Sequence, residues 1–360
     1  MHNMQVITDI SIRPILLPMV EPHRTASGVI NESPLILIDI MTNEGVVGHG
    51  VLFTYTQLAL RSIAEFLDSL KALLIGEVLA PLNVSQRLLE KFRLLGTQGF
   101  VGMALAGIDM AMWDALARSK QQSLVAALGG EHTPTPVYGA VGFDGEKCSA
   151  HQAEHWAKQG FKGVKAKIGY ASVNEDIAVV RAMRQAVGPD VSIMVDYNQS
   201  LSPADAIHRS QQLDQEGLTW IEEPTLAHNF TGHGHISNNT RTTIQCGENW
   251  WGIQDVQHAI DAKASDYFML DAMKIGGVTG WMKAAAMAEA VNVPVSSHLW
   301  SELSASLLSC SATANWLEYC DWWSPLLQQP LMIDNGMAIP NEEVGSGIEW
   351  NEAIVDQYKC

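Results

Sequence analysis

Cysteine is sparse in this chain of 360 residues: Cys148, Cys246, Cys310, Cys320 and Cys360 form no CxxC pair and show no disulfide-like spacing. Free thiols in a reducing, cytoplasmic compartment are the expectation. Basic residues are scarce as well, with 22 Lys and Arg against 39 Asp and Glu and a formal net charge of −17. That balance argues against nucleic acid or an anionic membrane as partner. It does not exclude a small anionic substrate, because a metal and a few lysines reverse the field locally. No uninterrupted apolar stretch of membrane-spanning length is expected, and the opening MHNMQVITDISIRPI lacks the basic-then-apolar pattern of a signal peptide. Low-complexity segments and sequence repeats are absent too. The composition, 47% hydrophobic and 17% charged, is enough to bury a sizeable core.

The chain does carry a ladder of polar residues, each near the end of a short apolar run. The rungs are Lys165 and Lys167 in GVKAKIG, Asp196 and Asn198 in SIMVDYNQS, and Glu222 in LTWIEEP, followed by Glu248, Asp271, His298 and Glu318. Successive rungs lie roughly 20–30 residues apart, the length of one strand and one returning helix, so a closed parallel barrel gathers them at one mouth. Eight strands are expected from TPVYGAVG to ANWLEY, making residues 135–320 an α/β, (β/α)7β modified TIM barrel. Before it, strands over 4–18, 34–41 and EGVVGHGVLF and helices over about 57–128 read as an α+β capping unit, residues 1–134. The polar stretch EPHRTASGVINES reads as a loop. In MALAGIDMAMWDALARS, Ala106, Met110, Trp113 and Ala117 form one helical stripe. Residues 321–360 are Trp- and Pro-rich and are expected to pack on the capping unit, with Trp316, Trp322 and Trp323 available for that or for a subunit interface.

Asp196, Glu222 and Glu248 close three consecutive strands. Three carboxylates converging in a low-dielectric pocket repel unless a cation sits among them, and an all-oxygen set suits Mg²⁺ or Mn²⁺. Singly, each acid reads better as a helix cap or an arginine partner; it is the set of three that points to a metal. Lys165 and Lys167 leave one face of a strand; beside a dication, one could be depressed enough to act as a neutral base. Taken alone, the pair is a weak motif. His298 ends the seventh strand and Asp271 the sixth, a spacing that lets the carboxylate orient the ring for proton exchange. Glu318 follows the eighth strand and reads equally as a surface glutamate or as a neutral acid donating to a substrate oxygen. Gly276, Gly277 and Gly280 in KIGGVTG suggest a helix N-terminus brought to the mouth and do not match a dinucleotide fingerprint.

Taken with AGIDMAMWDAL, WIEEPT, GENW, DAMKIGGVTGW and SSHL, these blocks resemble the enolase superfamily, mandelate racemase subgroup, over nearly the whole length. The resemblance implies Asp196, Glu222 and Glu248 as Mg²⁺ ligands and Lys167 and the His298–Asp271 dyad as bases on opposite faces of a substrate α-carbon. It further implies that Lys165 neutralises the substrate carboxylate while Glu318 hydrogen-bonds it, with Asn198 near the α-hydroxyl. Family chemistry of this kind removes a proton beside a carboxylate to give an enediolate. A capping loop from Pro22 to Ile30, with Phe53 and Tyr55, would choose the side chain, and a homo-oligomer built on dimers, up to an octamer, is implied.

Departures from the subgroup pattern concern the pocket. Ala140 stands where a serine contacts the substrate carboxylate; His23 and Ser27, with Arg24 adjacent, and Cys320 replace apolar residues. Ile30, Phe53, Tyr55, Leu94 and Leu299 are expected to keep an apolar wall. Racemisation of a 2-hydroxy acid leads; an acid-sugar dehydratase and a non-catalytic barrel that holds an organic acid are the alternatives.

Overall fold

The structure, a computed structural model, describes residues 5–25 and 28–360. The chain opens with an antiparallel sheet of β1 (Ile7–Thr25), β2 (Gly28–Thr42) and β3 (Val47–Phe53). The stretch expected as a loop over 21–33 is largely paired strand: His23 lies opposite Ile30 and Arg24 opposite Val29, after a register irregularity between Pro18 and His23. Polar side chains do not prevent pairing, because the backbone groups still need partners, and the irregularity bends the resulting arm.

Helices α1 (Gln57–Leu74), α2 (Pro81–Lys91), α3 (Phe100–Ser119) and α4 (Leu124–Ala127) follow. By length and composition α3 could cross a membrane, but Asp109 and Asp114 interrupt its apolar run and 72% of that stretch is buried inside the protein. Its burial extends round most of the helix instead of following one stripe, because strands β2 and β3 pack on it along with later helices. Glycine at position 48 permits that approach: a Cβ there would lie 2.3 Å from the Ala111 carbonyl oxygen.

Eight strands then alternate with helices: β4 (Thr135–Val141), α5 (Gly145–Lys158), β5 (Gly163–Lys167), α6 (Val173–Val187), β6 (Ser192–Asp196), α7 (Pro203–Leu213), β7 (Ile221–Glu222) and α8 (Phe230–Ser237). The series continues through β8 (Ile244–Cys246), α9 (Gly252–Ala262), β9 (Tyr267–Asp271), α10 (Ala272–Ile275), α11 (Gly277–Ala290), β10 (Val295–His298), α12 (Ser301–Ser309) and β11 (Leu317–Tyr319). Sequence neighbours from β4 to β10 pair in parallel, and β11 pairs with β4, setting Glu318 opposite Tyr138. Ser297 N donates to Trp316 O at 3.0 Å, which brings β10 and β11 together. The sheet is the expected barrel. Helix starts follow local chemistry, as where Ser172 and Glu175 form a capping box on α6. Tyr138, Met194, Trp220 and Met269 form a fully buried cluster, distinct from the main core.

Beyond the barrel, β12 (Met332–Asp334) and β13 (Met337–Ile339) form a hairpin on the start of β4, and α13 (Glu352–Tyr358) packs on β1. Trp350 Nε1 donates to Asp39 Oδ1 at 2.8 Å, and Arg13 pairs with Glu352 at 2.5 Å. The tail thus divides its contacts between barrel and first sheet. Its Trp323 is buried and stacks on Trp300 with ring centroids 5.3 Å apart.

A buried lock joins α3 to α11. Asp109 accepts from Ser85 Oγ at 2.5 Å, Thr279 Oγ1 at 2.6 Å and Thr279 N at 2.9 Å. Here the glycines of KIGGVTG serve a different end from the one expected. A Cβ at Gly277 would sit 2.4 Å from Asp109 Oδ2, so this glycine admits Asp109 to the helix N-terminus.

Candidate active site

Asp196 ends β6, Glu222 ends β7 and Glu248 stands two residues beyond β8. One oxygen from each lies within 4.8 Å of the others, and all three residues are buried. Glu222 Oε1 accepts from Lys165 Nζ at 2.6 Å, while Oε2 accepts from Trp220 Nε1 at 3.0 Å and Gln245 Nε2 at 3.2 Å. Asp196 accepts from Asn198 N and Nδ2, both at 2.7 Å. Burial, opposed by Lys165 but aided by the charges of Asp196 and Glu248, pushes the Glu222 carboxyl up to about 8. A cluster whose members resist sharing negative charge, with only carboxylate oxygens converging, fits a hard divalent cation.

Lys165 is buried: its ammonium contacts Glu222, reaches Glu318 Oε1 at 2.8 Å and lies 5.3 Å from the centre of the Tyr138 ring. Lys167 Nζ donates to Asp196 Oδ2 at 3.0 Å. Burial opposes both ammonium charges, but the facing carboxylates, Glu222 for Lys165 and Asp196 for Lys167, outweigh it and raise both pKa values. The expected neutral lysine is therefore not produced by the protein's own charges; it needs the opposing field of a cation among the acids. Glu318 departs from expectation twice. It lies inside β11, not after it, and although burial favours the acid, Lys165 and His298 pull its pKa down to about 2. Buried and ionised, it is neither the surface glutamate nor the neutral donor that the sequence allowed.

His298 Nδ1 meets Asp271 Oδ2 at 2.6 Å, and its Nε2 lies 3.2 Å from Glu248 Oε2. Asp271 Oδ1 is fixed by Met273 N, Lys274 N and Trp300 Nε1 at 2.8, 3.0 and 3.2 Å. Burial disfavours the imidazolium, but Glu248 and the Asp271 hydrogen bond favour it more, so the His298 pKa is raised. The ring is held by one nitrogen and can exchange a proton through the other.

Walls come from both ends of the sequence. His23 packs on Trp322 (centroids 4.8 Å apart), Trp322 on Phe53 (5.6 Å) and Phe53 on Tyr55 (4.9 Å). Burial and the nearby Lys167 hold His23 neutral, with its pKa lowered to about 3. Leu299 and Ala140 line the reacting space with Cys320; Ile30 is half-buried opposite His23. Arg24 does not join them: its exposed guanidinium turns to Asp144 at 3.6 Å. Leu94 is fully exposed and leaves the expected wall, and Ser27 lies outside the described residues. Asn198 N and Nδ2 serve Asp196, while its buried Oδ1 has no partner in the structure.

Several participants carried no sequence signal of their own. Trp322 appeared only as part of a tail. Lys274 and Asn249 lay within the blocks DAMKIGG and GENW: Lys274 Nζ donates to Asn249 Oδ1 at 2.6 Å and sits 4.8 Å above the Tyr55 ring, while Asn249 Nδ2 bridges Glu223 and Glu248.

Residues 7–129 match the N-terminal domain of the mandelate racemase / muconate lactonizing enzyme family, and 149–354 match the enolase C-terminal domain-like family. Among solved structures, an enolase from Bradyrhizobium complexed with magnesium and mandelic acid is similar at 39% identity, TM-score 0.96, with 100% of each chain covered. A magnesium-bound racemase from Streptomyces coelicolor A3(2) is similar at 25% identity and TM-score 0.94, covering 99% of this chain and 100% of that one. The arabinonate dehydratase of Saccharolobus solfataricus is 25% identical over 99% of this chain and 100% of its own length.

Proposed function

Because the chain belongs to the mandelate racemase / muconate lactonizing enzyme family of the enolase superfamily, we propose that this Mg²⁺-dependent enzyme racemises a 2-hydroxy carboxylic acid. One observation carries the reading: two proton-transfer groups flank the acidic cluster from different sides. Lys167 stands against Asp196, His298 stands against Glu248, and they project from the second and seventh barrel strands.

Asp196, Glu222 and Glu248 are the residues to hold Mg²⁺. When bound, the ion supplies Lewis acidity toward substrate carboxylate oxygens, where charge grows as the α-proton leaves. Lys165 adds a fixed positive charge beside that position. Glu318 is ionised in the protein alone, but an incoming anionic carboxylate raises its pKa by like-charge repulsion and favours a shared proton. Lys167 removes or returns the α-proton on one face. His298, fixed by Asp271, does so on the other.

Solvent-deuterium exchange into each enantiomer of a 2-hydroxy acid panel tests this. Wild type should exchange both, while Lys167→Ala and His298→Asn should each lose exchange from one enantiomer only. Wild-type exchange rates in both variants would remove these residues from the reaction. Dehydration of an acid sugar is the second reading, favoured by the likeness to arabinonate dehydratase and by the imidazole of His23 in the wall. It shares the proton abstraction and then expels a β-hydroxyl, so a 2-keto-3-deoxy product trapped by a carbonyl reagent decides for it.

A further inference from the structure

The reacting space is small. The region bounded by Lys165, Lys167, Glu248, His298 and Glu318 encloses about 30 Å³, close to one water's share of liquid volume and too little for a long side chain. Beside it lies a second cleft of about 300 Å³. Four residues border both: His23, Ala140, Cys320 and Trp322. Ala140 is in register with Lys165 on the neighbouring strand, and Cys320 follows Glu318 by two residues, so the shared border lies beside the groups assigned to the substrate carboxylate.

We propose that this lateral cleft receives the substrate's side chain, and that the side chain it takes is neutral and hydroxylated: an aldonate-type monocarboxylic 2-hydroxy acid, not a dicarboxylic one. The inference rests on the proposed reaction, because it puts the α-carbon at the acidic cluster. Three features of the cleft support it. Its aromatic walls, Trp156, Tyr319 and Trp322, offer faces for the C–H side of an extended chain. The His151 side chain, exposed on α5, makes no hydrogen bond to a described residue and can donate or accept. The charge is acidic: Asp144 is paired with Arg24, whereas Asp321 lines the cleft with no ion-pair partner among the described residues. A second substrate carboxylate would meet that charge, while a hydroxyl can donate to it.

Binding to the Mg²⁺-loaded enzyme, read by calorimetry, and turnover, read as α-proton exchange or keto product, are compared for a three-carbon 2-hydroxy acid, a five-carbon aldonate and the five-carbon aldarate. The aldonate should exceed both others by at least about tenfold in affinity and kcat/KM, the yield of one or two hydrogen bonds. His151→Trp, which fills the cleft, should cut the aldonate preference over the three-carbon acid about tenfold. Asp321→Asn should raise the aldarate-to-aldonate ratio. Equal preference for all three acids, or ratios unmoved by both variants, overturns the cleft assignment. Selective aldonate binding without exchange or product from any acid overturns the reaction instead and leaves the cleft standing.

Discussion

The Asp109 lock makes stability depend on pH in a way that one substitution isolates. Burial, opposed by hydrogen bonds from Ser85 and Thr279, raises the Asp109 carboxyl from 3.8 to about 6. A carboxyl with a raised folded pKa binds its proton more tightly folded than unfolded. Its stabilising contribution is therefore complete below about pH 4 and is lost as pH rises through about 6. A shift of about two units corresponds to about 3 kcal/mol of ionisation cost at pH 8, with roughly half of it already present at pH 5. Asp109→Asn removes the titration. Its amide oxygen can still accept from the two hydroxyls, while its amide nitrogen faces the Thr279 N–H, a penalty that does not vary with pH. Urea unfolding of both proteins at pH 5 and pH 8 should show the variant gaining about 1.5 kcal/mol relative to wild type across that interval. A difference between the two proteins that stays constant with pH would refute the assignment of a buried, ionising Asp109.

Two further substitutions probe the site's support and one close backbone contact of the fold. Trp220→Phe removes the indole donor to Glu222 Oε2 while leaving Gln245 in place; Mg²⁺ affinity by calorimetry should fall about tenfold, as for other lost supports of a metal ligand. Gly48→Ala sets a methyl group against the Ala111 carbonyl; it should destabilise the first sheet by about 3 kcal/mol or more in urea unfolding, because the contact is with backbone that cannot rotate away.

The polar ladder was legible because each barrel strand is a short apolar run that stops where its side chains enter the mouth. Asp196 after IMV and Asp271 after YFML mark that change directly. Fold and acidic cluster followed from the same spacing. The arm around His23 was not legible, since backbone hydrogen bonding sets its pairing and its polar side chains show no clear alternation. The turn of Arg24 toward Asp144 depends on a residue far along the chain, as does the ionisation of Glu318, which Lys165 imposes across the barrel seam. Leu94 shows the limit from the other side: an apolar residue near a pocket in a family pattern here faces solvent.

The packing of His23 on Trp322 bears on how the protein is made. About 300 residues of synthesis separate those two rings, and β4 likewise waits for β11 to complete the cylinder. A nascent chain can assemble the first sheet and its helices early, yet the wall beside Lys167 stays open until the tail leaves the ribosome. Catalytic competence should therefore arrive late, only after the tail has closed that wall.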